Sequence, residues 1–222
     1  MPSSMNRVRV YLVDDHPLMR ASLASLLKQE LNIVVCGEAQ SADVAEREIV
    51  EKNPDLVILD ISLDGGSGFE IIKALRDSCP SLKIIVLSMH DEKLYAERCI
   101  RKGANGYVMK REPSKRIVDA IRLVLCGKMA LSEEVVSGFA AKFLDGKKSE
   151  GGALLSELSD RELEVFNLLG QGMASRKIAA SLGINVKTAQ AYCHRIKQKL
   201  HLSTATELLR EATRWHHDSS DF

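Results

Sequence analysis

Hydrophobic and polar positions follow two regimes along this chain. Up to about residue 126, short aliphatic and β-branched runs alternate with stretches in which apolar residues recur every three to four positions. Arg7 to Val13, RVRVYLV, reads as a strand, and a helix follows from Pro17 to about Glu30. Proline suits that first helical turn, where its missing N–H costs nothing. Asn32 to Ala39 is a second strand, followed by a helix from about Ala42 to Lys52. Leu56 to Asp60, LVILD, is apolar at consecutive positions, as in a strand covered on both faces. A Gly-rich loop leads to a helix from Gly68 to about Ser78. Strands at Lys83–Ser88 and Gly106–Lys110, with helices near Glu92–Arg101 and Ser114–Cys126, complete the set. Five β-then-α units predict a parallel sheet with helices on both faces.

Beyond Gly127 the period is helical throughout. Ser132 is placed to cap a helix that fades by Leu144. The stretch from Asp145 to Ala153, DGKKSEGGA, is polar and glycine-rich, as in a flexible linker. Ser159 and Glu162 have the spacing of a capping box ahead of a run that ends near Gly170. A short helix from about Ser175 to Leu182 stops at Gly183, and Asn185 can cap a longer one from Val186 to about Leu200. This short helix, turn and longer helix form a helix-turn-helix signature. A last helix runs from Ser203 or Thr204 to about Trp215. The expected division is a sheet domain over residues 1–128, a linker helix and linker over 129–155, and a four-helix domain over 156–222.

Length fits this division, since 222 residues are ample for two domains. Net charge does not choose a partner, with 31 basic and 30 acidic residues. The longest stretch without Asp, Glu, Lys or Arg runs only from Val165 to Ser175, far short of the roughly 20 apolar residues of a membrane helix. MPSSMNRVRV lacks the apolar centre of a secretion signal, so a cytoplasmic protein is expected. Five cysteines at 36, 79, 99, 126 and 193, with no CxxC pair, predict reduced thiols rather than disulfides or a zinc site.

Candidate chemistry gathers at the strand ends, where open parallel sheets place their sites. Asp14 and Asp15 follow the first strand, Asp60 ends the third, Ser88 the fourth and Lys110 the fifth. Two carboxylates about 4 Å apart repel by roughly 4 kcal/mol at an effective dielectric of 20, so such a group needs a cation or a proton. Oxygen donors and high charge suit Mg²⁺, and a carboxylate left free can accept a phosphoryl group beside the metal and an ammonium. YLVDDHPLMR, VILDISLDGGSGFE, IIVLSMHDE and GANGYVMK resemble the receiver domain of two-component response regulators, a flavodoxin-like (CheY-like) five-stranded α/β fold. The resemblance implies that Asp60 is phosphorylated by a sensor histidine kinase. It also implies that Asp15, Asp60 and the Ser62 carbonyl ligate Mg²⁺ directly, with Asp14 acting through water. Ser88 and Lys110 would contact the phosphoryl group, and Tyr107 would be the switch aromatic. Leu63-Asp64 replaces the Met-Pro pair usual in the loop, and Gly68 matches the family's glycine.

The C-terminal part carries no acid from Val165 to Thr206, but six basic residues. Along the longer helix, Ala189, Cys193, Ile196 and Leu200 have the spacing of a buried stripe. Lys187, Gln190, Ala191 and His194 occupy the opposite face, where side chains would reach base edges in a major groove. Arg176, Lys177, Arg195, Lys197 and Lys199 suit phosphate contacts. LSDRELEVFNLLGQGMASRKIAASLGINVKTAQAYCHRIKQKLHL resembles the LuxR-type helix-turn-helix, and with the receiver it points to the NarL/FixJ class. A non-enzymatic, phosphorylation-controlled transcription regulator is implied, binding promoter DNA and forming homodimers on activation. Gln190 stands where many members of that family carry lysine, and the last helix, with Leu208, Leu209, Ala212 and Trp215, resembles their dimerisation helix.

Overall fold

The computed structural model describes residues 7–63, 68–145, 155 and 157–218, without the side chains of 141–145 and 217–218. The expected linker from Asp145 to Ala153 lies outside the described residues except for Asp145, and so does Asp64. Two units are formed, Met1–Val135 and Val136–Phe222.

The first unit alternates strands and helices: β1 (Val8–Val13), α1 (Pro17–Lys28), β2 (Ile33–Ala39), α2 (Ala42–Lys52), β3 (Leu56–Leu59), α3 (Gly68–Ser78), β4 (Lys83–Ser88), α4 (Glu92–Arg101), β5 (Gly106–Met109) and α5 (Ser114–Leu125). All strands are parallel, in the order β2-β1-β3-β4-β5. The expected doubly wound sheet is therefore present. Period two divides each central strand between two cores. Val10, Leu12, Leu56, Ile58, Ile85, Leu87 and Val108 pack with Leu23 and Leu27 of α1 and Ile117, Ile121 and Val124 of α5. The alternate residues Tyr11, Val13, Val57, Leu59, Ile84, Val86 and Tyr107 are buried too, as are Ile49, Phe69, Ile72 and Tyr95 of α2, α3 and α4. Burial on both faces explains why these strands are apolar without alternation.

Register sets the site. Val13 pairs with Leu59, so Asp14 and Asp60 emerge side by side at the carboxyl ends of β1 and β3. The chain winds outward to β2 after β1 and returns across it to β3, so this is the topological switch point. Ser88 pairs with Met109, which brings Lys110 to the same rim, and the Lys110 amide donates to the Ser88 carbonyl at 2.7 Å.

The first unit continues past residue 128. Ala130 bridges to Gly106 in parallel, its amide donating to Asn105 and its carbonyl accepting from the Tyr107 amide at 2.8 Å. Helix α6 (Glu133–Asp145) begins just after this, and Ser132 caps it by accepting from the Val135 amide.

The second unit contains α7 (Asp160–Gly170), α8 (Ser175–Ser181), α9 (Val186–Lys199) and α10 (Ala205–Asp218). The Ser159–Glu162 capping box is formed, and Asn185 accepts from the Thr188 amide at 2.8 Å to start α9. Thr204 and Glu207 form a second reciprocal cap at α10. Leu163, Val165, Phe166, Ile178, Ala189, Ile196, Leu208 and Ala212 make the core.

Gly68 admits the closest backbone approach at the rim. A Cβ there would lie 2.3 Å from Cα and 2.4 Å from the carbonyl oxygen of Ile61, on the loop that carries Ser62. Gly68→Ala should therefore destabilise the first unit by about 1–3 kcal/mol, the usual cost of overpacking, in urea unfolding. A wild-type midpoint would contradict the close packing.

Candidate functional site

Four strand ends and the loops after them build the rim. Asp14 is 2% exposed and Asp60 is 1% exposed, two buried carboxylates on neighbouring strands. The Lys110 ammonium sits between them, 2.7 Å from Asp14 Oδ2 and 2.6 Å from Asp60 Oδ2, with its side chain 6% exposed. The Ser62 amide donates to Asp60 Oδ1 at 2.9 Å, and the His16 amide to Asp14 Oδ1 at 2.8 Å. Burial pushes the Asp60 carboxyl above its ordinary range against the pull of Lys110 and the Ser62 amide. Burial alone would lower the Lys110 pKa, but the charges of Asp60 and Asp14 more than offset that and raise it.

One ammonium does not saturate this group. Asp14, Asp15, His16 and Asp60 each place a potential ligand atom within 4.8 Å of the others. Asp14 Oδ2 and Asp15 Oδ1 are buried yet make no hydrogen bond of acceptable geometry. Their close neighbours are the Lys110 ammonium and His16 Nδ1, the latter 2.6 Å from Asp15 Oδ1. Lone pairs facing one small space, from carboxylates that repel each other, are the donor set of a hard divalent cation.

The remaining residues expected at the site lie around it. Ser88 is fully buried, and its hydroxyl accepts from the His90 amide at 3.1 Å. Tyr107 is fully buried with its hydroxyl donating to the His90 carbonyl at 2.9 Å, and burial drives its pKa well above the ordinary range. Sequence reasoning missed His16 and His90. His90 Nε2 hydrogen-bonds Ser62 Oγ at 3.0 Å, joining the loops after β3 and β4, and its ring stacks on Tyr95. The available signals were the position of His16 directly after the acid pair and of His90 two residues after Ser88.

In the second unit, α9 buries Ala189, Ile196 and Leu200, whereas Cys193 of the expected stripe is only half-buried. Lys187, Gln190 and His194 are exposed and Ala191 is half-buried on the other side. Asn185, Val186, Lys187, Thr188, Ala191 and Arg195 line an open hollow of about 500 Å³. Arg176 and Lys177 are exposed on the first turn of α8, Lys197 is half-buried, and Arg195 lies over the Tyr192 ring at 5.0 Å. In α10, Leu208 and Ala212 belong to the core and Leu209 is exposed.

Lys199 has partners inside the domain that its sequence position does not reveal. Its ammonium donates to Glu162 Oε2 at 2.6 Å and to the Glu157 carbonyl at 3.0 Å. Glu162 is buried and also accepts from the Ser159 amide. Burial would raise its pKa, but Lys199 and Ser159 outweigh burial and hold it below the usual carboxylate range.

A doubly wound sheet with an acidic, lysine-bridged rim, followed by a basic helix-turn-helix, defines a class: a phosphoacceptor-type switch domain joined to a DNA-binding domain. Residues 10–122 match the response regulator receiver domain, and residues 156–212 match the luxR family of bacterial regulatory proteins. The chain belongs to the response regulators with a LuxR-type DNA-binding domain, the NarL/FixJ type, whose members are transcription factors rather than enzymes. It is 35% identical to the transcriptional activator ExaE of Pseudomonas putida, over 91% of this chain and 94% of that one. It is 34% identical to the virulence-factor transcription regulator BvgA of Bordetella pertussis, over 93% and 97%. RcsB from Salmonella enterica serovar Typhimurium, solved bound to promoter rprA with phosphomimetic BeF3⁻, is 25% identical and superposes with a TM-score of 0.68, covering 94% of this chain and 99% of that one. Among the described residues no helix is long and apolar enough to cross a membrane.

Removing Lys110 leaves two buried carboxylates facing each other. Without Mg²⁺, Lys110→Ala should lose about 3–5 kcal/mol of stability, and millimolar Mg²⁺ should restore part of it in urea titrations. Indifference of the variant to Mg²⁺ would argue against a cation site. For Glu162 the depressed pKa gives stability present above the ordinary carboxylate range and lost as pH falls through the lowered value. Lys199→Met should lower second-unit stability near neutral pH by about 1–3 kcal/mol and flatten this acid limb, followed by circular dichroism. Unchanged stability would return Lys199 to the pool of free cations.

Proposed function

We propose that Asp60 is the phosphoacceptor of this response regulator and that its phosphorylation by a sensor histidine kinase controls binding of promoter DNA in the cytoplasm. The observation that carries this reading is the Lys110 ammonium shared between Asp60 and Asp14 at 2.6 and 2.7 Å, in a group where Asp14, Asp15 and Asp60 each place a potential ligand atom within 4.8 Å of the others. Asp15, Asp60 and the Ser62 carbonyl would hold Mg²⁺, with Asp14 acting through water. Mg²⁺, when bound, supplies positive charge against the incoming phosphoryl oxygens. An Asp60 carboxylate oxygen attacks phosphorus, the phosphorus–nitrogen bond to the donor histidine breaks, and the released imidazole takes up a proton. Lys110 neutralises charge on the new acyl phosphate, and the Ser62 amide keeps Asp60 oriented.

The readout runs through Ser88 and Tyr107. Ser88 turns its hydroxyl from the His90 amide toward a phosphoryl oxygen, and the loop after β4 and the Tyr107 hydroxyl then adjust together. This change favours a homodimer on DNA. In the second unit, α9 enters the major groove with Lys187, Gln190, Ala191 and His194 toward base edges. Arg176, Lys177, Arg195 and Lys197 meet phosphates.

With beryllofluoride and Mg²⁺, the wild-type chain should dimerise and bind a selected promoter fragment at least about fivefold more tightly, whereas Asp60→Asn should not respond. Equal responses in both would remove Asp60 from the account. Four phosphate contacts per protomer predict a log affinity against log salt slope near roughly −7 for the dimer. A slope near zero would remove DNA.

A further inference from the structure

Glu92 is a buried carboxylate that the phosphorylation chemistry does not use. It lies on the first turn of α4, four residues after Ser88, and is 4% exposed. Its Oε1 accepts the Ser132 amide at 2.9 Å. Ser132 is the residue that caps α6, so one buried acid of α4 fixes the point where the chain leaves the first unit. The residues just before Ser132 are held as well. The Ala130 carbonyl accepts from the Tyr107 amide, its amide donates to Asn105, and the Arg116 guanidinium donates to the Leu131 carbonyl at 3.0 Å. Lys93 pairs with Glu134 at 2.7 Å, one residue after Glu92 and two after Ser132.

These bonds converge on the two parts that the switch moves. Tyr107 bonds His90 through its hydroxyl and Ala130 through its amide. Glu92 stands on the helix that opens directly after the His90 loop. A displacement of that loop carries Glu92 with it. Glu92 then either drags Ser132 along or loses its donor and remains a buried, unpaired carboxylate, which is costly. Burial already pushes its carboxyl above the ordinary range, and the Ser132 amide opposes that shift.

We propose that the Glu92–Ser132 contact is a latch that transmits the state of Asp60 to the chain leading into the second unit, Glu92 acting as a positioning residue for the start of α6. The latch rests on the phosphorylation reading above. It links a movable loop to an exit strand through bonds that are present or broken, the discrete element that coupling between two sites requires.

The test measures DNA affinity of the full-length chain with and without beryllofluoride and Mg²⁺, together with labelling by acetyl phosphate. Glu92→Ala should label like wild type, and its DNA affinity should change less than about twofold on activation, against about fivefold or more in wild type. Glu92→Gln keeps an acceptor for the Ser132 amide and should retain most of the response. Ser132→Pro removes the donor from the opposite side and should uncouple as Glu92→Ala does, which keeps the test decisive if the alanine variant folds poorly. Hydrogen exchange at Ser132 should be faster in Glu92→Ala than in wild type, whatever the state of Asp60. A wild-type activation ratio in labelled Glu92→Ala or Ser132→Pro overturns the latch. Absence of labelling or of DNA binding in the wild-type chain would instead overturn the phosphorylation reading itself.

Discussion

The contact between the Lys110 ammonium and the buried carboxylates of Asp14 and Asp60 is what the rest of the structure serves. Three ionised groups in a poorly solvated rim are tolerable only when charge and geometry match closely. The sheet supplies that match. Neighbouring strands fix Asp14 and Asp60 through the Val13–Leu59 register, and the pairing of Ser88 with Met109 delivers Lys110 from the far edge. Two apolar layers hold the strands in place, so the rim is preorganised by burial at a distance from it.

The same rim is under-coordinated, and this gives it a function. One ammonium is shared by two carboxylates, and Asp14, Asp15 and Asp60 bring oxygens within 4.8 Å of one another, the kind of donor set that suits a hard cation. Phosphorylation at Asp60 would add negative charge beside Lys110 and Ser88. The nearest groups able to respond are the hydroxyls and amides of Ser88, His90 and Tyr107, all linked to one another. That network ends at Ala130 and at Glu92, where the chain leaves the sheet. In the second unit a comparable division holds: Glu162 and Lys199 tie α7 to α9 internally, leaving Lys187, Arg195, Arg176 and Lys177 on the surface.

Much of this was legible in the sequence because local rules and global fold agree. Pro17, Ser159 and Asn185 mark helix starts through side-chain or ring chemistry that needs no tertiary context, and each helix begins where they predict. The apolar runs identify β1, β3 and β4, and Asp14, Asp15 and Asp60 after the first and third, with Ser88 at the end of the fourth, identify the rim. Contacts between residues far apart in sequence were not legible. Lys199 reads as one more cation of a basic helix until Glu162, 37 positions earlier, is found beneath it. Glu92 reads as an ordinary first-turn acid until the chain returns after α5 to place Ser132 over it. His90 gains meaning only when Ser62 of another loop meets its ring. Cys193 fits the helical stripe by spacing but is only half-buried, because spacing specifies a face and not how completely neighbours cover it.

The most direct test of the central claim is chemical identification of the modified side chain. After incubation with acetyl phosphate, borohydride reduces an aspartyl phosphate to homoserine, which tandem mass spectrometry locates in the sequence. The account predicts homoserine at position 60, formed in Mg²⁺ and lost in EDTA. Homoserine at Asp14 or Asp15 instead, or none at any position with Mg²⁺ in excess, would contradict it.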